Sequence, residues 1–230
     1  LAALGASDAD LQASARIVLV AAVVGLLAPL FWPGRAGTVR ITTVRIVAWS
    51  LASAGLAAAI ALISGLGVDR LPRAATALAV LFLALVAVHA VAATVEGLLQ
   101  RRAAGPEAAR ESAAWIATAA LMTLGAAPLW LGPAAELALG DRPRAVDAVV
   151  AVSPLTHLAV ASGNDLLRNQ WFYQHSNLAG LRFDYPRLAP VMTAYCLLAA
   201  VLLLVPAHRG TRSAAAARVT ETPFVEEHRP

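Results

Sequence analysis

The sequence contains no lysine; all 18 of its basic residues are arginine. Beside the abundant alanine, this absence points to biased composition rather than function. Cysteine is nearly as scarce, with Cys196 alone in 230 residues, inside an apolar stretch. A single thiol excludes an internal disulfide framework, a thiolate zinc site and a CxxC redox pair. Charge is short as well: 14% of residues are charged, where a soluble domain carries about 25%. No GxxxxGK[ST], GxSxG or HExxH occurs, which disfavours an ATPase, a serine hydrolase or a zinc protease on this chain.

What the chain does have is apolar sequence. Hydrophobic residues make up 59% of it, with a mean hydropathy of +0.69. Its apolar runs approach the roughly 20 residues that cross a hydrocarbon core. The expected fold class is an all-α integral membrane protein. It has about five transmembrane helices, with an external re-entrant or amphipathic helical region between the last two. Residues 1–15 form an external N-terminal segment, and 16–132 a four-helix block with spans at 16–32, 46–67, 74–98 and 113–132. The external region is 133–188 and the last span 189–207. The polar stretch 208–230 lacks periodicity and is expected to be a flexible tail. Phe31 and Trp32 close the first span, and Trp115 and Trp130 bracket the fourth, as aromatic residues do at interfaces.

A net charge of +4 does not imply nucleic acid here, because the arginines are scattered through short loops, where topology accounts for them. Arg35, Arg40 and Arg45, then Arg101, Arg102 and Arg110, then Arg209, Arg212 and Arg218 fall on one side. Only Arg16, Arg70 and Arg73 fall on the other. The nine mark the cytoplasmic side, which places the C-terminus inside and 133–188 outside a bacterial inner membrane. No internal repeat is visible, so an inverted-repeat transporter is not supported.

Two ionisable residues fall inside a span, His89 and Glu96. Such groups are costly in hydrocarbon unless partnered, and they are functional candidates for that reason. Seven residues apart, they share a helix face, as a proton relay or polar cavity requires. The simpler readings are a hydrogen bond from His89 to a neighbouring helix, and a Glu96 that reaches water beside Arg101 and Arg102. A bis-histidine haem needs a second histidine at matching depth, and the spans hold none. No catalytic residue, cofactor or metal ligand is assigned.

Outside the membrane, the apolar stretch 148–161 is about 14 residues long and broken by Pro154. That length suits a re-entrant segment, with proline opening its second helix. A further helix, capped by Ser162 or Asn164, is expected to reach His175. It sets Leu166, Leu167, Trp171 and Phe172 against Asp165, Arg168, Asn169 and Gln170. Its tip of Trp171, Phe172 and Tyr173 suits headgroup depth. Phe183-Asp184-Tyr185-Pro186 reads as an extended turn. Arg182, Asp184 and Arg187 are expected to pair with one another or with Asp165. Pro154, His157, Trp171, Phe172, Tyr173, Asp184 and Tyr185 form a candidate cap or docking surface, and the plainer reading is a piece resting on the bilayer. A metal here would need His157 and His175 to converge across the proline break.

Two stretches carry a likeness to a known family. SPLTHL at 153–158 looks like a Ser/Asn-Pro segment opening an external re-entrant part. Arg35-Ala36-Gly37-Thr38 is similar to an Arg-containing, Gly-Thr-ending cytoplasmic connector. With this layout, the chain resembles the membrane subunit of ABC-2 type transporters, which have six spans, cytoplasmic termini and re-entrant helices between the last two spans. Pro33 and Gly34 stand where the family has a glutamate. The resemblance implies that these five spans match the family's second to sixth, and that the Leu1 start omits a first one. It implies a non-enzymatic permease, oligomeric and in contact with lipid, driven by an ATPase on another polypeptide. Arg35, Gly37, Thr38 and Arg40 would form the coupling loop. The alternative is an accessory subunit of a respiratory or photosynthetic complex, docking a partner on 164–186. A third option is an intramembrane enzyme using His89 and Glu96.

Overall fold

The computed structural model describes residues 8–35, 38–64, 70–102, 105–137, 142–168, 170–176 and 183–220, and these form helices joined by short connectors, without a strand. The first helix, α1, spans Asp8–Leu27 and tightens into a 3-10 turn over Ala28–Phe31, where Pro29 sits in the first turn. α2 is Val39–Ile63, opened by Thr38, whose hydroxyl accepts from the Ile41 N–H at 3.3 Å. α3 is Leu71–Arg101, with Pro72 in its first turn, where a missing N–H costs nothing. Its 31 residues reach about 46 Å at about 1.5 Å each. Among the described residues, α2 and α3 are the helices both long and apolar enough to cross a membrane. Shorter apolar helical stretches run over Ala15–Phe31 and Leu188–Leu204.

The expected fourth span at 113–132 is divided differently. α4 begins earlier and spans Pro106–Gly125, then the chain turns at Ala126 into α5 (Ala127–Trp130) and α6 (Gly132–Glu136). Pro128 and Pro133 each fall in the first turn of a short helix, because proline starts a helix readily and cannot donate within one. α7 (Arg142–Val152) and α8 (Pro154–Ser162) follow and meet at 84°. A second 3-10 turn, Leu166–Arg168, leads to α9 (Gln170–His175). The last helix, α10, runs over Leu188–Thr220. It continues past the expected end at 207 because 213–217 is serine and four alanines, which favour helix.

α3 is the axis of the bundle. It packs against α10, α4, α2, α8 and α1. Its buried positions are mostly small: Ala74, Ala77, Ala84, Ala87, Ala90, Ala92 and Ala93. Small side chains let backbones approach closely where lipid supplies little hydrophobic drive. The outward faces of α2 and α10 stay apolar and exposed, at Leu51, Leu56, Ile63, Leu197 and Val201 among others. Bare apolar faces of this extent suit a hydrocarbon surrounding.

α8 enters the bundle, packed on α1 and α3. Ser153 fixes the bend. Its fully buried hydroxyl donates to the Gly125 carbonyl at 2.9 Å and accepts from the Thr156 N–H at 3.4 Å. The far end of α8 stops at Gly163, whose φ of 74° suits glycine. α6, α7, α9 and Phe183 gather a separate small core around Val146, Val150, Leu167 and Phe172.

Candidate functional site

Glu96 is the centre of a polar strip inside the bundle. It is 3% exposed, so it does not simply reach water. Its Oε2 accepts from the Trp32 indole N–H at 2.9 Å and from the Arg35 backbone N–H at 3.0 Å. Oε1 accepts from the Gln100 amide at 3.1 Å, one turn along α3. Three donors on one carboxylate compensate much of the cost of removing it from water.

Trp32 connects this carboxylate to His89. Its ring stacks on the imidazole with centroids 5.5 Å apart and planes 22° from parallel. Trp32 is therefore not an interface anchor: it is 4% exposed, while its neighbour Phe31 is 66% exposed and faces outward. On the other side, His89 Nδ1 meets the buried Ser50 hydroxyl of α2 at 2.9 Å. Nε2 is buried and makes no hydrogen bond.

The shared face predicted for His89 and Glu96 is real, and both are buried on it. What spacing did not show is the pair of groups between and beside them, Trp32 and Ser50. A serine, a histidine and a carboxylate lie along one strip, but Glu96 bonds Trp32 instead of orienting the imidazole. The relay that activates a serine nucleophile is not assembled here.

The connector at Arg35 is pinned to the same carboxylate. Gly34 adopts a φ of 83°, and a Cβ there would lie 3.0 Å from Arg110 Cδ. The Arg35 side chain crosses Gly97, where a Cβ would overlap Nη1 and lie 2.9 Å from Cζ. Two glycines thus mark close approaches, one on each side of Glu96. Of the other loop candidates, Thr38 caps α2, Arg40 is exposed, and Gly37 lies outside the described residues.

No known protein family, characterised protein or solved structure matches the chain. Its sites rest on geometry alone.

Between α6 and α10 the candidates divide. Pro154 opens α8. His157 Nε2 meets the Ala151 carbonyl at 2.9 Å, which can only accept, so Nε2 carries the proton. Nδ1 therefore accepts from the Tyr195 hydroxyl of α10 at 2.8 Å. Both ring nitrogens are occupied, leaving none for the metal site considered with His175. Among the described residues no three or more His, Cys, Asp or Glu side chains converge.

Phe172 is buried against Val146 and Val150 instead of presenting its ring outward. The side chains of Trp171 and Tyr173 lie outside the described ones. Tyr185 donates to Asp165 and accepts from the Leu167 N–H at 3.3 Å. Burial first, then the hydrogen bond and charge of Asp165, push its phenol well above the usual value of 10.0. Arg168 lies 3.5 Å from Asp165 and over the rings of Phe183, at 5.2 Å, and Tyr185, at 5.8 Å. Asp165 is thus partnered by Tyr185 and Arg168 instead of Arg187, while Arg182 lies outside the described residues. The Asp184 side chain is exposed, and its backbone N–H donates to Asp147 at 2.9 Å.

Proposed function

We propose that this chain is the membrane-spanning permease subunit of a transport complex whose ATPase is a separate polypeptide. Five spans would hold it in a bacterial inner membrane with its C-terminus in the cytoplasm. The observation that carries this reading is the pinning of the Arg35 connector to Glu96 on α3. A loop tied by two hydrogen bonds to the central helix must move with that helix. Such a loop is a lever. A cytoplasmic motor pressing on Arg35, Thr38 and Arg40 would displace α3, and with it α8 and α10, which pack directly on it. The α7–α8 pair, bent by 84° and inserted between α4 and α10 in sequence, supports the same reading by closing the opposite end.

A second reading, an accessory subunit of a respiratory or photosynthetic complex, draws on the external region. That region has its own buried cluster around Leu167, Phe172 and Phe183, which would hold a docking surface in shape.

Purification in mild detergent, with mass spectrometry of everything retained, separates the two. An ATPase subunit recovered in equal ratio with this chain is the expected result. Cofactor-bearing subunits without an ATPase would remove the permease reading and leave the accessory one.

A further inference from the structure

A cavity of about 320 Å³ lies between α1, α3, α4, α8 and α9. Ala22, Ala84, Leu85, Met122, Leu158 and Phe172 contribute to its wall, which is apolar almost throughout. It is about twice the size of the ~150 Å³ apolar cavity that stays dry and binds benzene. A water there needs two to four polar partners. The Ser153 hydroxyl in the wall is already spent on the Gly125 carbonyl, and the Thr156 hydroxyl is shut away from the space. The lumen therefore favours hydrocarbon over water.

Its access points to where that hydrocarbon comes from. Leu85 and Phe172 are 1% and 4% exposed, whereas Met122 is 53% exposed on the face of α4 that also bears Trp115. The space thus runs from an apolar outer face into the bundle, and a molecule enters it sideways from whatever bathes that face. With α2 and α3 suited to crossing a membrane, that surrounding is lipid.

We propose that the cavity holds one acyl chain of a bilayer phospholipid, inserted past Met122 and ending against Leu85 and Leu158. The site lies against α8, so the chain wedges the re-entrant helix against α3. This inference does not depend on the transport reading and needs only that the protein sits in a bilayer.

The test is photolabelling of the full chain in vesicles of phosphatidylcholine carrying a diazirine midway along one acyl chain, followed by peptide mapping. Labelling is expected at Leu85 and Met122 as well as at exposed Leu197. Ala22→Phe and Ala84→Phe fill the space from two different walls, and each should abolish labelling at Leu85 while leaving Leu197 labelled. If neither variant folds, label on Leu85 in the wild-type chain still decides the matter, since surrounding lipid does not reach a side chain so buried. Label confined to exposed positions would overturn the proposal. So would Leu85 labelling that persists in both filled variants, or labelling by a free diazirine fatty acid but not by the phospholipid.

Discussion

Trp32 donates its indole N–H to Glu96 across 64 residues of chain, at 2.9 Å, and this bond joins the first connector to the central helix. Because Arg35 donates to the same oxygen, two donors depend on one acceptor. Glu96→Ala strands both, and each buried unsatisfied donor costs about 1–3 kcal/mol. Thermal unfolding in detergent should show a loss of about 3 kcal/mol. Glu96→Gln keeps an oxygen at the shared position and turns its amide toward Gln100, which can present its own oxygen by flipping. It should lose only about 1 kcal/mol. Equal damage from both substitutions would mean that the negative charge itself is required.

Gly97→Ala separates stability from coupling. The atoms in the way are the far end of the Arg35 side chain, which is flexible. Alanine is also the better helix former by about 1 kcal/mol. The unfolding temperature should hold or rise slightly, while the transport proposed for the complex falls because Arg35 is displaced. A large loss of stability would show that the guanidinium is fixed in place.

Ser153→Ala removes a helix cap and a cross-link between α8 and α4 at once. A cap is worth about 1 kcal/mol and the bond to the Gly125 carbonyl about as much, so about 2 kcal/mol should be lost. Hydrogen exchange should rise across α7 and α8 and stay unchanged in α2 and α3. Uniform acceleration through all the helices would contradict the local role.

Tyr185 predicts an alkaline weakness of the segment between α8 and α10. Its phenol has a folded-state pKa raised above the unfolded one, so folding favours the protonated form. That contribution is complete below about pH 10 and disappears as pH rises beyond it. Limited proteolysis between α8 and α10 should be constant through neutral pH and accelerate above about pH 10. Tyr185→Phe should be cut faster at pH 7 and lose part of the alkaline rise. An unchanged alkaline profile in the variant would assign the effect to another group.

Much of this architecture was legible in the sequence because an α-helix satisfies its own backbone. An apolar run therefore declares itself locally, whatever it packs against. The helical class, the break at Pro154 and the common face of His89 and Glu96 all follow from spacing along one segment. Pro128 and Pro133 also carried a local signal for the division after α4, because proline begins helices more readily than it continues them.

Only the tertiary structure decided which faces meet. In an alanine-rich chain the helix surfaces are too alike for periodicity to name partners, and a hydrogen bond between distant residues depends on how loops close. So Trp32, read as an interface residue, turned inward to Glu96, and Ser50 found His89 from another helix. Phe172 packed into a small separate core, and His157 reached across to Tyr195. Trp32, Ser50 and His157 each had to find a hydrogen-bond partner once buried, and packing alone determined which one was within reach.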